Sequence, residues 1–349
     1  MISKRVLSLS PYKTETTSAK VKLSSNELSI DFPEEVKKRI AEEVSKIPFN
    51  RYPDPEANLL KEALAGWLGV KPENLLLGNG SDELIYYLSI GIGEFDRGVF
   101  YPVPTFSMYG ISAQVLGREK VETRLDENFD VDLKESLRLI EESRPIIAYF
   151  AYPNNPTGNC FSEDRIRRIR EKGLFLVVDE AYYSYSGKTF LNEALHREDT
   201  VVLRTLSKIG MAGLRVGIMV GREEVIRELN KIRLPFNITY PSQVIAKLLL
   251  TEFYHIIEDA VRVVIKERER VYRELSKMEG IKVYPSEANF ILFKSLSIPA
   301  DLLHKRLVAE GVLIRNFSYM VPQCLRVSIG KPQENDAFLE ALGRVLKNS

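Results

Sequence analysis

The sequence predicts an α/β fold whose larger domain is built on a mostly parallel β-sheet flanked by helices. Apolar runs at residues 146–152, 174–178 and 201–203 have the near-continuous hydrophobic character of strands that are buried on both faces. Segments with helical periodicity, for example residues 165–172 and 223–233, alternate with these runs. Alternating strands and helices of this kind are typical of a doubly wound sheet.

Length and composition limit the class of protein. The chain has 349 residues, of which 44% are hydrophobic and 28% charged, values that suit a globular protein of about two domains. A formal net charge of +1 gives no electrostatic reason to expect nucleic acid binding. No apolar stretch approaches the ~20 residues of a membrane span, so we expect no membrane contact. Two distant cysteines and three scattered histidines predict neither a disulfide framework nor a metal site. These features favour a cytoplasmic protein.

Two helices are predicted before the first strand of the large domain. The first runs from about Pro33 to Lys46, where apolar residues recur on one face, and Asp31 is its expected N-cap. The turn-rich link 51–55 leads to a second amphipathic helix, which is expected to end at Gly69. The chain before residue 23 is predicted to be irregular.

A glycine turn between a strand and a helix is the first candidate binding feature. The strand covers about residues 74–77, Gly78-Asn79-Gly80 follows it, and a helix is expected to begin at Ser81. A helix N-terminus after such a turn presents free backbone N–H groups, which can bind the phosphate of a ligand. The alternative is an ordinary glycine turn capped by Ser81.

The last third of the chain predicts a smaller α/β domain. A helical region at 242–278, bent near His255, precedes it. Its predicted elements are strands at 281–284, 289–293, 312–315 and 325–329, a helix at 299–310 and a final helix.

Four candidate site residues come just after predicted strands of the large domain. They are Ser81, Asn155, Asp179 and Lys208. Because the carboxyl ends of parallel strands share one edge of an open sheet, residues far apart in sequence converge there on one crevice. A helix N-terminus, a hydrogen-bonding amide, a buried acid and a lysine together suit pyridoxal 5′-phosphate (PLP), which has a phosphate, a pyridinium nitrogen and an aldehyde. Each residue alone is equally consistent with an ordinary turn.

The sequence resembles fold-type I PLP-dependent aminotransferases, and within them the histidinol-phosphate aminotransferase family. The resemblance extends over nearly the whole chain, and it depends on the order of many short motifs. These are Pro11-Tyr12, Asn26-Glu27, Arg51-Tyr52-Pro53, Gly78-Asn79-Gly80-Ser81-Asp82-Glu83, Pro153-Asn154-Asn155-Pro156-Thr157-Gly158, Asp179-Glu180-Ala181-Tyr182, Thr205-Leu206-Ser207-Lys208, Ala212-Gly213-Leu214-Arg215 and Leu325-Arg326-Val327-Ser328-Ile329-Gly330.

The resemblance implies a division into three parts and an obligate homodimer. Residues 1–30 are expected to form an N-terminal arm that joins the small domain, residues 31–255 the large PLP-binding domain, and residues 256–349 the small C-terminal domain. Active sites are expected at the dimer interface, where Tyr52 would reach the phosphate of the PLP bound in the other subunit. The alternative for Tyr52 is an aromatic residue that packs in a turn.

The resemblance also implies roles around the cofactor ring. Lys208 is expected to bind the aldehyde as a Schiff base and to move the substrate proton. Asp179 would pair with the pyridinium N–H, and a buried carboxylate does need such a partner. Tyr182 and Asn155 would donate to the phenolic oxygen O3′. Phe106 would stack on the ring face, although it is also consistent with a plain packing role.

The cofactor phosphate is expected to bind to the backbone N–H groups of Ser81 and Asp82, the hydroxyl of Ser207 and the guanidinium of Arg215. Thr205 is a further candidate, or else a packing residue at the end of a strand. Many relatives have one more residue between the lysine and the arginine, so the sequence leaves open whether Arg215 reaches the phosphate in this chain.

Substrate binding is expected from the small domain. The resemblance implies that Arg326 binds the substrate carboxylate, with Arg315, Tyr12 and Asn26 as helpers, and that the phosphate of histidinol phosphate takes the same place. For Arg315 the alternative is a solvated position at a strand end. The reaction implied is L-histidinol phosphate plus 2-oxoglutarate giving imidazole-acetol phosphate plus L-glutamate, which makes the protein a homodimeric transaminase of small molecules (EC 2.6.1.9).

Three rival functions stay open at this point. An aromatic amino acid aminotransferase and a PLP-dependent threonine-phosphate decarboxylase would share the scaffold. A nucleotide-binding protein without PLP would need a Gly-x-Gly-x-x-Gly turn, and residues 78–83 lack its last glycine.

Overall fold

Two β-sheets with helices packed against them form the part of the chain that the computed structural model describes, residues 1–9 and 17–347. The strands are β1 (Val21–Leu23), β2 (Leu75–Asn79), β3 (Val99–Val103), β4 (Lys120–Arg124), β5 (Ile147–Ala151), β6 (Phe175–Asp179), β7 (Thr200–Thr205), β8 (Val216–Val220), β9 (Ile281–Val283), β10 (Phe290–Ser295), β11 (Val312–Asn316) and β12 (Cys324–Ser328).

The helices alternate with these strands. They are α1 (Lys4–Leu7), α2 (Glu34–Ser45), α3 (Asn58–Leu68), α4 (Ser81–Gly91), α5 (Met108–Leu116), α6 (Leu133–Ser143), α7 (Glu163–Arg170), α8 (Tyr183–Ser186), α9 (Leu191–His196), α10 (Glu223–Asn230), α11 (Tyr240–Glu252), α12 (Tyr254–Ser276), α13 (Ala300–Ala309) and α14 (Pro332–Lys347).

The first sheet has seven strands in the order β2-β8-β7-β6-β5-β3-β4, and β8 alone runs against the others. The predicted α/β class with a mostly parallel sheet is therefore confirmed. Strands β5, β7 and β8 are buried along their whole length, as expected for central strands covered by helices on both faces.

The reversed direction of β8 follows from a short connection. Residues 206–215 join β7 to β8 through two single 3₁₀ turns, 206–208 and 212–214. A parallel return requires a crossover of a dozen or more residues, usually a helix, and this link is shorter. The chain therefore turns back antiparallel, which the sequence analysis did not predict.

The second sheet has the order β1-β11-β12-β10-β9 and is antiparallel except for the pair β1 and β11. Strand β1 brings residues 21–23 into this sheet. The first residues lie elsewhere, because α1 packs against α5 and Gln114 Nε2 donates to Ser8 Oγ at 3.0 Å.

Some local predictions need correction. Asp31 is not the N-cap of α2. Pro33 holds that position without a side-chain hydrogen bond, and Asp31 instead pairs with Lys37 at 2.6 Å. Gly80, not Ser81, is the N-cap of α4. The long helical region is divided into α11 and α12 at Phe253, two residues before the predicted bend.

The carboxyl ends of the parallel strands meet at one edge of the first sheet. Strand β6 ends at Asp179, and β7 ends three residues before Lys208. Strand β5 ends four residues before Asn155, and β2 ends two residues before Ser81. The strand order therefore gathers the predicted site residues at this edge, as the crevice argument expects.

Candidate active site

A cavity of about 520 Å³ lies at this edge, with residues of both sheets in its walls. Its volume is in the range of pockets that bind small molecules and cofactors. The sequence-predicted residues that line it are Asn26, Ser81, Asp82, Phe106, Asn155, Asp179, Tyr182, Thr205, Ser207, Lys208, Arg215, Arg315 and Arg326.

An anion cradle occupies one end of the cavity. The N-terminus of α4 begins there at Ser81, directly after Gly80, which has a φ of 78°. A Cβ atom on Gly80 would collide with the guanidinium of Arg215 and would force that side chain to move. Backbone N–H groups at a helix N-terminus and an arginine beside them form a site for a phosphate.

The short link between β7 and β8 brings Arg215 into this cradle. Thr205 caps the first 3₁₀ turn, since its Oγ1 accepts from the N–H of Ser207 at 3.1 Å. Gly210, at φ 97°, allows the sharp change of direction that follows. Arg215 Nη1 then lies 3.4 Å from Ser207 Oγ, and Nη2 lies 3.2 Å from Asp82 Oδ2. The link is therefore long enough for Arg215 to reach the cradle.

Asp179 is the buried acid of the cavity, with 4% of its surface exposed. Burial raises its pKa to about 6, against the effect of the hydrogen bonds that it accepts. Tyr109 Oη donates to Oδ2 at 2.8 Å, and the N–H of Ala181 donates to Oδ1 at 3.2 Å. The carboxylate is thus held at both oxygens within a largely apolar surrounding.

Tyr182 and Lys208 lie close together in the cavity. Lys208 Nζ lies 5.9 Å from the centre of the Tyr182 ring. The Tyr182 hydroxyl accepts a hydrogen bond from Asn26 Nδ2 at 2.9 Å, which leaves its own proton to be donated to a ligand. Tyr185 Oη donates to the carbonyl oxygen of Lys208 at 2.6 Å and thereby fixes the backbone from which the lysine extends.

Arg326 forms the opposite wall. Its Nη1 donates to Asn155 Oδ1 at 2.5 Å, and its Nη2 donates to the carbonyl oxygen of Ser24 at 2.8 Å. Phe290 and Phe317 pack against its guanidinium, with ring centres at 5.1 and 4.9 Å. This buried arginine is therefore oriented by contacts from four separate segments of the chain.

The bond with Arg326 also orients the Asn155 amide. Because Oδ1 accepts from the arginine, the Nδ2 end is the one that Asn155 offers as a donor. Arg315 lies directly across from Arg326 in the pairing of β11 and β12. Opposed residues of an antiparallel pair point to the same face of the sheet, so both arginines reach the cavity.

Two predicted site residues are not in the cavity. Tyr12 lies outside the described residues. Tyr52 is 78% exposed and stacks on Phe236, with 4.5 Å between the ring centres. The expectation for Tyr52 concerned the cofactor of the other subunit, so its absence from the cavity of its own chain does not test it.

Sequence analysis missed Tyr109 and Tyr185. Tyr109 follows β3, and its partner Asp179 is 70 positions away in the sequence. Tyr185 comes three residues after Tyr182, a helical spacing that puts the two on one face and was the available signal. In residues 1–9 and 17–347, no group of three or more His, Cys, Asp or Glu side chains is arranged to hold a metal ion. In the same residues no helix is long and apolar enough to cross a membrane.

Comparison with known proteins assigns the chain to a family. The family model for class I and II aminotransferases matches residues 18–342. The chain belongs to the class I and II aminotransferases.

Among relatives of this transaminase, the histidinol-phosphate aminotransferase of Aquifex aeolicus is 60% identical over 350 residues, covering 100% of this chain and 99% of its own. That of Hydrogenobaculum sp. is 47% identical and covers 99% and 98%. The chain is thus a member of the histidinol-phosphate aminotransferase family, as the motifs indicated.

A solved structure supports the fold of this aminotransferase. Histidinol-phosphate aminotransferase from Sinorhizobium meliloti, in complex with pyridoxal 5′-phosphate, superimposes with a TM-score of 0.87 at 22% identity. The match covers 99% of this chain and 98% of that one. The two-sheet architecture is therefore that of the aminotransferase fold.

Proposed function

We propose that this transaminase converts L-histidinol phosphate and 2-oxoglutarate to imidazole-acetol phosphate and L-glutamate, a step of histidine biosynthesis. The observation that carries the proposal is the opposed pair Arg315 and Arg326, which line the same cavity as Lys208. Two cations on one wall suit a phosphate ester in one half-reaction and carboxylates in the other. The names of the full-length relatives support the same substrate.

The groups at the first sheet fit PLP as the cofactor. Ser81, Asp82, Ser207 and Arg215 would hold its phosphate, and the missing Cβ of Gly80 keeps their cradle open. Thr205 would act through Ser207, whose hydroxyl lies 2.9 Å from Thr205 Oγ1. A buried carboxylate such as Asp179 needs a cationic or donor partner, and the pyridinium N–H of PLP is one.

The proposed mechanism uses Lys208 for proton transfer. When bound, PLP supplies an aldehyde for the substrate amine and a ring that withdraws electrons from the α-carbon. Lys208 would hold the cofactor between turnovers. Lys208 Nζ would also act as the general base that takes the proton from the substrate α-carbon, and as the general acid that returns one. The same lysine serves both half-reactions, as a ping-pong mechanism requires.

The other residues of this wall would control the ring. Asp179 would hold a proton on the pyridine nitrogen. The Tyr182 hydroxyl and Asn155 Nδ2, both oriented as donors, would donate to the phenolic oxygen. Phe106 would pack on the ring face.

Substrate would bind at the second sheet. Arg326 is held rigidly by Asn155, Ser24 and two aromatic rings, so it can bind an anionic group with little loss of side-chain entropy. Arg315 adds the second charge. Asn26 and Tyr12 are proposed to complete this part of the site.

We further propose that two copies of the chain form a homodimer in which Tyr52 binds the phosphate of the cofactor in the partner subunit. The support is the exposed apolar area of Tyr52 and of Phe236, which stacks on it. A monomer in analytical ultracentrifugation at micromolar concentration would contradict this proposal.

The same proposal covers domain limits and location. Residues 1–30, 31–255 and 256–349 are proposed as arm, large domain and small domain. Support comes from the helix break at Phe253 and from β9 to β12, all of which follow it. We propose that the enzyme acts in the cytoplasm, where a reducing environment suits its free cysteines.

Borohydride reduction tests the cofactor assignment. Reduction of the purified enzyme followed by peptide mapping is expected to find a pyridoxyl group on Lys208. The matched control is Lys208→Ala, which should carry no label. A label on another lysine of the wild-type enzyme, or on none, would refute the assignment.

A comparison of substrates tests the reaction. We expect kcat/KM to be highest for histidinol phosphate, well above the values for phenylalanine and tyrosine. A preference for the aromatic amino acids would instead indicate an aromatic aminotransferase. Release of carbon dioxide from threonine phosphate would indicate a decarboxylase.

A further inference from the structure

Tyr109 is a buried tyrosine that contacts the acid of the site from outside the cavity. It lies on α5 with none of its surface exposed, and it is absent from the cavity wall, to which Asp179 belongs. Its hydroxyl donates to Asp179 Oδ2 at 2.8 Å, while the N–H of Ala181 donates to Oδ1. Two donors at different oxygens fix both the position and the plane of the carboxylate.

The Tyr109 ring is itself held in place. It stacks on Tyr149 with 4.9 Å between ring centres and 6° between planes. Phe106 packs edge-on against it at 5.7 Å. The Tyr149 hydroxyl bonds to Ser89 Oγ at 3.0 Å and lies 3.3 Å from the carbonyl oxygen of Ile85. Tyr109 therefore has little freedom to move its hydroxyl away from Asp179.

The environment of Asp179 disfavours its ionised form, so the hydrogen bond from Tyr109 affects the charge state of the carboxylate. Burial disfavours the ionised carboxylate, the neighbouring charge of Asp82 adds to that effect, and Lys208 on the other side opposes it. Burial and the proximity of Asp179 raise the pKa of Tyr109 well above its usual value, so the phenol stays a donor. A neutral donor within hydrogen-bond distance stabilises the charged form without adding a second charge.

We propose that Tyr109 is a positioning residue of the transaminase reaction, which keeps the Asp179 carboxylate oriented and ionised so that it can hold a proton on the ring nitrogen of the cofactor. The proposal rests on the proposed function, because that function makes the ring nitrogen the partner of Asp179. Tyr109 itself touches neither cofactor nor substrate.

The variant Tyr109→Phe removes the donor and keeps the ring stack. Tyr149→Phe is the matched control, since it removes the hydroxyl of the other buried tyrosine of the same stack. That hydroxyl bonds to Ser89 and Ile85 and not to Asp179. We expect kcat to fall by about ten- to a hundredfold in Tyr109→Phe, the range for a lost hydrogen bond to a charged group. In Tyr149→Phe, kcat should change by about threefold or less.

The ¹⁵N NMR signal of ring-labelled PLP gives a readout that a purely structural role would not move. Wild-type enzyme and Tyr149→Phe should show a protonated ring nitrogen at pH 7.5. Tyr109→Phe should show a signal shifted towards the unprotonated nitrogen, because a carboxylate that has lost its donor takes the proton more readily. An unchanged signal in Tyr109→Phe would overturn the proposal.

A double-mutant cycle with Asp179→Asn tests whether Tyr109 acts through Asp179. In the Asp179→Asn background, Tyr109→Phe should lower kcat by about twofold or less. If the losses of kcat caused by Tyr109→Phe and by Asp179→Asn multiplied fully in the double variant, the proposal would be overturned. It would also be overturned if both Tyr109→Phe and Tyr149→Phe failed to fold. Wild-type enzyme that binds no PLP would refute the proposed function itself, whereas PLP on Lys208 with identical tyrosine variants would refute only this inference.

Discussion

The two walls of the cavity hold their charged groups in different ways. On the first sheet, Lys208 and Arg215 lie on turns just after or before strands, and Arg215 is tied to Ser207 within eight residues. On the second sheet, Arg315 and Arg326 lie within strands. Arg326 is oriented by segments that are up to 302 residues away in sequence.

This difference separates two kinds of binding site. The first wall depends on backbone turns, glycines and a helix N-terminus, which suit a cofactor that is bound in one fixed position. The second wall depends on arginine side chains, one of which packs against two aromatic rings. Such cations can bind either a carboxylate or a phosphate, as two alternating substrates require.

The largest expected effect comes from the second wall. Arg326→Ala should lower kcat/KM for histidinol phosphate by about 10³-fold, because it removes a buried, hydrogen-bonded charge from the anion site. Arg315→Ala should lower it by about tenfold, since Arg315 is less buried. Steady-state kinetics on both variants measures the difference.

Arg326→Lys is the matched control, as it keeps the charge and loses the planar contacts with Asn155 and the rings. We expect a loss between those of the two alanine variants. Equal small losses for Arg326→Ala and Arg315→Ala would mean that the second wall does not bind the substrate anion.

The first wall should respond through cofactor affinity. Gly80→Ala forces a side chain into a positive-φ position and against Arg215, so the Kd for PLP should rise by about ten- to a hundredfold. Fluorescence titration of the cofactor-free enzyme measures this. Gly187→Ala is the control, because Gly187 also has a positive φ, 69°, and a Cβ there meets no atom within 4 Å. A similar loss of PLP affinity in both variants would show that backbone strain, not the cradle, is responsible.

The smallest effect concerns stability of the cofactor-free protein and pH. Burial in the folded state raises the pKa of Asp179 from 3.8 to about 6. Above pH 6 the ionised carboxylate therefore destabilises the fold. This destabilisation vanishes below pH 3.8, where the acid is protonated in both the folded and the unfolded state. Asp179→Asn should therefore raise the free energy of unfolding by about 1–3 kcal/mol at pH 7.5. Urea denaturation at several pH values should show the gain shrinking between pH 6 and 4.

Asp199→Asn provides a control of opposite sign. The hydrogen bond from Arg197 lowers the pKa of Asp199, so that carboxylate stabilises the fold at neutral pH and loses this effect as the pH falls. Its replacement should lower stability at pH 7.5. A pH-independent gain for Asp179→Asn would mean that burial of charge is not the cause.

Prediction from sequence succeeded where structure is local. Buried parallel strands have near-continuous apolar runs, and β5, β6 and β7 lie where such runs occur. The residues after these strands share one edge by the geometry of the sheet, which is why Asn155, Asp179 and Lys208 line one cavity. The family followed from the order of the motifs, since each motif alone is common.

Prediction failed where a contact joins distant segments. Nothing near Tyr109 in the sequence indicates that its hydroxyl bonds to Asp179, and nothing near Asn26 indicates a bond to Tyr182, 156 residues later. The direction of β8 depends on the length of a link relative to the space that a crossover helix needs. The aromatic contacts of Arg326 depend on how β10 and the residues after β11 pack.

The sequence by itself thus determined the fold class, the family and most of the residues that line the site, because strand periodicity, turn residues and motif order are properties of short segments. Only the tertiary structure decided how those residues are oriented. Hydrogen bonds act over about 3 Å, and which groups come that close depends on packing of the whole chain. For Lys208 and Asp179, the sequence indicated the chemistry, while Tyr185 and Tyr109, which hold them, became visible only once the chain was folded.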